Sequence, residues 1–181
     1  MKKIAVLITF VIASLFLSAC VPTAMSTIEL GPDFSGNKGD YELEFTQLHN
    51  DVLSSFEGEN PFVFVTGLDI GGNNGERKIT VNATVMPGIT EEDARYFMAA
   101  VARYLGDAAS VQDSRITGTD SHSFGNLFTI YSLSARVADE EGTEIVSFEV
   151  PAGEEVPLDP DIEKYYAEWE KAMEIYQRNN Q

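Results

Sequence analysis

The sequence predicts an α+β fold, in which an antiparallel sheet of four to five strands has helices packed on one face in a two-layer sandwich. Three observations support this prediction. Apolar and polar residues alternate over several short segments, as in strands with one covered face. Turn-forming residues separate these segments in pairs. In three other segments, apolar residues recur at spacings of three and four, which is the period of a helix. The order helix, hairpin, helix, strands, helix is typical of such a sandwich, and it also allows a ferredoxin-like arrangement.

The first predicted elements are a helix and a hairpin. Residues 41–57 carry one apolar stripe, with Asp40 as the N-cap and Gly58 at the end. His49 lies beside this stripe, and we interpret it as a packed or solvent-facing residue rather than a metal ligand. Segments 62–70 and 78–86 are expected to pair around the Gly/Asn-rich turn between them, because Gly and Asn tolerate positive φ.

The second predicted helix begins at Thr90, which is a good N-cap and is followed by three acidic residues. Gly106 is expected to end it. A structureless loop of about 20 residues is uncommon in a small domain. We therefore expect a short strand over 111–117 and a polar turn over 118–126.

The last two predicted strands are 127–138 and 143–150, joined by a turn that ends at Gly142. Side chains on the outer face of the predicted sheet are polar, and they either bind a partner or face water. They are Thr80, Asn82, Thr84, Ser132 and Ser134.

The C-terminal helix is predicted to begin at Asp159-Pro160, after a linker, and to carry a broad apolar stripe with aromatic residues. Packing of this stripe on the domain is the interpretation we favour. The alternative is a partner-binding surface, since Trp and Tyr are enriched at interface hot spots. Its candidate residues are Tyr165, Tyr166, Trp169 and Tyr176.

A possible catalytic motif, Asp120-Ser121-His122-Ser123, lies in the predicted turn. A hydrolase using Asp120 and His122 is therefore one alternative function. We do not favour it, because triad residues usually come from separate elements and neither serine lies in a GxSxG or SxxK motif. The sequence predicts no catalytic residue, metal ligand or cofactor site.

The N-terminus reads Lys2-Lys3, then an apolar run, then Leu17-Ser18-Ala19-Cys20. The run from Ile4 to Ala19 has about 16 residues, whereas a spanning helix needs about 20. This is the pattern of a secretory signal. Its last four residues resemble the bacterial lipobox in every position. The resemblance implies cleavage before Cys20, a diacylglyceryl thioether on its sulfur and a further acyl chain on the new amino group. Cys20 is the only cysteine of the sequence.

Four segments follow from these predictions. Residues 1–19 form the signal peptide, 20–40 a lipidated flexible tether, 41–158 the α+β domain, and 159–181 an amphipathic helix packed on or appended to it. Residues 20–40 are assigned to the tether because they contain Pro, Gly, Ser and Asn, which are typical of flexible linkers.

Charge excludes some functions. The whole chain has a net charge of −17, and removal of residues 1–19 takes away Lys2 and Lys3 but no acid, which leaves −19. Such a surface argues against nucleic-acid binding, which needs clustered cations. It also repels anionic lipid headgroups, so that acyl chains must supply the attachment.

Together, these features predict a non-enzymatic lipoprotein on the extracytoplasmic face of a bacterial membrane, the outer membrane if the cell is Gram-negative. Its expected partner is an envelope protein or a cell-wall polymer. A solute-binding lipoprotein is a further alternative.

Overall fold

The computed structural model describes residues 41–58, 61–168 and 170. They form an α+β fold, a four-stranded sheet with helices packed against it, which confirms the predicted class. In chain order the elements are α1 (Phe45–Ser54), β1 (Val65–Asn73), β2 (Lys78–Val85), α2 (Glu91–Gln112), α3 (Leu127–Ile130), β3 (Ser132–Asp139) and β4 (Glu144–Val150). Residues 163–168 and 170 are also helical. No helix within these ranges is long and apolar enough to cross a membrane.

The sheet is mixed, so the prediction of an antiparallel sheet was wrong at its centre. The strand order is β1-β2-β3-β4, and β2 pairs with β3 in parallel, whereas the two outer pairs are antiparallel. The reason is the long helix α2, which carries the chain back along the sheet so that β3 starts at the same end as β2. The elements named above follow the order α-β-β-α-α-β-β rather than the β-α-β-β-α-β of ferredoxin-like domains, and this order does not support the ferredoxin-like prediction.

Alternation along the two central strands separates the core from the outer face, as predicted. Residues that point towards the helices are at most 4% exposed: Ile79, Val81, Ala83, Val85, Leu133, Ala135 and Val137. On the opposite face, Asn82 and Arg136 are paired in register and exposed. Burial of one face against helices and exposure of a polar one is the arrangement that a period of two produces.

Helix α2 is longer than predicted, because Gly106 does not end it. A Cβ at Gly106 would lie 2.5 Å from Thr119 Cγ2 and 3.0 Å from the Phe124 carbonyl oxygen. Glycine is therefore needed for the close approach of a loop to the middle of the helix. The strand predicted over 111–117 was wrong, since its first two residues end α2 and the others form no strand. The predicted strand 127–138 begins with the short helix α3.

The two other predicted helices begin later than expected. Helix α1 starts at Phe45, and the side chain of Glu44 caps it by accepting a hydrogen bond from Thr46 N. The predicted cap, Asp40, lies outside the described residues. The C-terminal helical segment starts at residue 163 rather than directly after Pro160.

Two side-chain amides hold the start of the described domain, directly after the predicted tether. Asn74 Oδ1 accepts a hydrogen bond from Leu43 N at 3.0 Å, and its Nδ2 donates to Leu43 O at 3.1 Å. Gln112 forms the same pair of bonds with Glu44, at 2.8 and 3.2 Å. We call these two residues the amide clamp. Because each amide satisfies both backbone groups of one residue, the chain is fixed here without a strand partner.

A buried tyrosine and an arginine reinforce the amide clamp. The hydroxyl of Tyr131 lies 3.1 Å from the Tyr41 carbonyl oxygen and 2.8 Å from Asn74 Oδ1. The guanidinium of Arg115 lies over the Tyr41 ring at 3.9 Å, which is a cation–π contact. Arg115 also hydrogen-bonds the carboxylate of Asp113 and thereby lowers the pKa of that group. The residues that follow the tether are thus attached to three different parts of the domain.

Candidate functional site

The first candidate site is the aromatic surface of the C-terminal helix. The ring of Tyr165 stacks on Phe62, with 5.5 Å between centroids and 6° between planes, and on Tyr96 at 4.6 Å and 22°. Its hydroxyl donates a hydrogen bond of 2.8 Å to Asp93 Oδ1. Tyr165 is therefore held by stacking and by a charge-assisted hydrogen bond at the N-terminal turn of α2.

Tyr166 contacts the same cluster from another direction. Its ring meets Phe62 edge to face at 5.8 Å, and its hydroxyl lies 3.2 Å from that of Tyr104. Both tyrosines thus pack on their own domain, as in the interpretation we favoured, and their contact with a partner stays a prediction. Trp169 and Tyr176 lie outside the described residues.

The half-buried setting of these two tyrosines affects their ionisation. Burial raises the pKa of Tyr165 and of Tyr166 above the ordinary tyrosine value, and the hydrogen bonds with Asp93 and Tyr104 raise it further. Because the unfolded chain then loses these protons first, stability should fall as the pH rises above about 10. Tyr165→Phe and Tyr166→Phe are each expected to make this fall less steep in urea unfolding curves. Equal pH slopes for the variants and the wild type would contradict the prediction.

The second candidate is the loop with the catalytic-looking motif. Asp120 Oδ1 accepts a hydrogen bond of 2.7 Å from the backbone N of His122, and Ser123 Oγ accepts one of 3.0 Å from Gly125 N. Backbone bonds join Asp120 and Ser123. The carboxylate and the hydroxyl therefore close the turn, which is the usual role of such side chains.

Because His122 is exposed, replacing it with alanine is expected to change the unfolding free energy by no more than about 0.5 kcal/mol. The same variant tests the hydrolase alternative in an activity screen. A hydrolytic activity of the wild type that disappears in His122→Ala would establish the loop as an active site.

The described residues were also considered as ligands for a metal ion. Those residues contain no group of three or more His, Cys, Asp or Glu side chains that could hold an ion. His49, which we considered as a ligand, instead accepts a hydrogen bond from Ile70 N on the edge strand β1, at 3.1 Å through Nδ1. This side chain therefore satisfies a backbone donor of the sheet edge.

A groove with a volume of about 860 Å³ lies between α2 and residues 155–159. Its walls include Ala99, Val156 and Leu158, and carboxylates surround them. One of these, Glu91, pairs with Arg95 at 2.8 Å. The groove offers apolar area with an acidic rim, which disfavours an anionic ligand.

The third candidate is the outer face of the sheet, where the described polar side chains are half-buried or exposed. Register places Thr80 beside Ser134, and Ser134 beside Glu149. The next row is Asn82 beside Arg136, and Arg136 beside Ser147. Hydroxyl, amide and charged groups therefore lie side by side across three strands, where they can donate and accept hydrogen bonds to a partner.

Comparisons with protein families, curated proteins and solved structures found no match for this chain. Functional argument therefore depends on the chemistry of its own residues.

Proposed function

We propose that this chain is a bacterial lipoprotein, cleaved before Cys20 and held by acyl chains at the extracytoplasmic face of a membrane. The observation that carries the proposal is the succession of Lys2-Lys3, a short apolar run and Leu17-Ser18-Ala19-Cys20. A short run after two cations is typical of a secretory signal. The lipobox resemblance assigns the sole cysteine to lipid attachment.

The start of the domain is consistent with this role. The amide clamp and Tyr131 bind residues 41–44, close to the end of the predicted tether at residue 40. A body attached to a membrane through its N-terminal segment needs this junction to stay folded when the tether is pulled. Hydrogen bonds from three separated positions along the chain supply that resistance.

For the domain we propose a non-enzymatic role, as a binding or accessory module for an envelope protein or a cell-wall polymer. The outer sheet face is the surface that we assign to the partner. It is polar and open, whereas the inner face is covered by the domain's own helices, and Tyr165 and Tyr166 already contact that domain.

Mass spectrometry of the native protein tests the lipoprotein proposal. The expected result is a chain that begins at Cys20 and carries the added mass of a diacylglyceryl group and a further acyl chain. A protein that retains Met1, or one with an unmodified thiol at position 20, would refute it.

The partner surface is tested with a photoreactive amino acid placed at Asn82 in living cells. Adducts with an envelope protein or with cell-wall material are expected from this position. The matched control is the same amino acid at Val111, an exposed residue of α2 that is not part of the sheet. Equal adducts from both positions, or none from position 82, would contradict the assignment.

A further inference from the structure

An apolar groove lies beside the C-terminal end of α1, and we call it the α1 groove. It has a volume of about 430 Å³. Two apolar side chains at its rim remain in contact with water, Leu53 with 39% and Val63 with 71% of its surface exposed. The residues that line it are Leu53, Phe56, Phe62, Val63, Val65, Thr66, Gly67, Leu68 and Phe97. An open groove of this composition gains free energy when an apolar side chain covers it.

The path of the C-terminal segment leads towards this groove. Before the helix, the carbonyl oxygens of Pro157 and Pro160 accept hydrogen bonds from Arg95 and Arg103, at 3.5 and 3.4 Å. Tyr166 then meets Tyr104, which lies about half a turn around α2 from Arg95 at 3.6 residues per turn. The chain therefore crosses over α2 from the side of the arginines to the side that faces α1.

Phe62 is shared by the two surfaces. It contacts Tyr165 and Tyr166 of the C-terminal helix, and it also lines the α1 groove. Phe56, another residue of the groove, meets the Tyr104 ring edge to face at 5.0 Å. The groove is thus continuous with an interface that the C-terminal helix already forms.

The sequence supplies apolar residues for the next two turns. Trp169 and Met173 follow Tyr165 and Tyr166 at spacings of three, four and seven, so in a continuous helix they lie on the same side. Residues 163–168 and residue 170 are helical. From position 166 to position 173 a helix rises about 10 Å.

From this path we infer that the side chains of Trp169 and Met173 occupy the α1 groove of the same chain. The inference commits the C-terminal stripe to a contact within the chain rather than to an outside partner, and it does not depend on the lipoprotein proposal. Covering the groove would remove the apolar rim of Leu53 and Val63 from water and extend the aromatic cluster around Phe62.

The fluorescence of the full chain in detergent tests this inference, because Trp169 is the only tryptophan. The wild-type emission maximum is expected at a shorter wavelength than that of the urea-unfolded chain. Val63→Asp should shift it towards the unfolded value and increase quenching by acrylamide. Val111→Asp is the matched control, since Val111 is also a largely exposed valine, at 79% against 71% for Val63, and does not line the groove.

Three results would overturn the inference. One is a wild-type emission maximum equal to that of the unfolded chain. Another is the same shift in Val63→Asp and Val111→Asp at equal thermal stability. The third is an emission maximum that changes with protein concentration, because a second copy would then fill the groove. If Val63→Asp lowers thermal stability, Leu53→Ser replaces it in the comparison, and the absence of a shift in Leu53→Ser also overturns the inference.

Discussion

Replacing Phe62 with alanine is expected to lower the free energy of unfolding by about 3–5 kcal/mol, the range for truncating a buried aromatic residue. Phe62 is 3% exposed. Its ring meets five others at centroid distances between 5.5 and 6.0 Å, namely those of Phe56, Phe64, Phe97, Tyr165 and Tyr166. The substitution leaves a cavity where α2, the segment before β1 and the C-terminal helix meet. Urea unfolding followed by far-UV circular dichroism measures the change.

Such a loss is a large part of the total stability of a domain, about 5–15 kcal/mol. The control is Val111→Ala, which also truncates an apolar side chain, but at a position that is 79% exposed. Its expected effect is within about 0.5 kcal/mol. An effect of Phe62→Ala as small as that of the control would mean that the three segments do not share one core.

The sequence predicted well which side chains of a strand are buried, because burial follows from the alternation of side chains along that strand. On β2 and β3 the sequence alone separates buried from exposed residues, because each strand has one covered face and a period of two. The pairing of β1 with β2 was also predictable, since a Gly/Asn turn joins them directly. Both inferences need only residues that are close in sequence.

What the sequence did not predict depends on residues far apart in the chain. Glycine is typical of helix ends, and Gly106 was therefore predicted to end α2. It lies inside the helix instead, because the loop around Phe124 approaches closely and requires a residue without Cβ. The direction of β3 relative to β2 depends on the length of α2. The predicted helix was too short, because it ended at Gly106. The alternating pattern of β3 reports that one face of the sheet is covered, which is common in antiparallel sheets. It does not fix the direction of the neighbouring strand, and in this mixed sheet β3 pairs with β2 in parallel.

The candidate sites divide in the same way. The resemblance to a lipobox rests on four consecutive residues, so it can be read from the sequence alone, and it stays a prediction. The amide clamp joins Asn74 to Leu43 across 31 positions and Gln112 to Glu44 across 68. Asn74 was assigned only to a turn, because its turn propensity explains its presence without a distant partner.

Replacing Cys20 with serine is expected to abolish lipid attachment completely. In the proposed mature protein the sulfur carries two acyl chains, and each buried CH₂ contributes about 0.8 kcal/mol of membrane affinity. A serine hydroxyl is not a thiolate nucleophile and cannot form the thioether. Cells grown with a labelled fatty acid should incorporate the label into the wild-type protein and none into Cys20→Ser. The mass of the variant should include no acyl chain, at any site of cleavage.

Ser18→Ala is the matched control, because it keeps an apolar residue, two small residues and the cysteine in their places. It should incorporate the label as the wild type does. High salt should not release the wild-type protein from membranes, since a body of charge −19 is repelled by anionic headgroups and is not held by them. If Cys20→Ser carried the label, or if salt alone released the wild-type protein, the attachment would not depend on this sulfur.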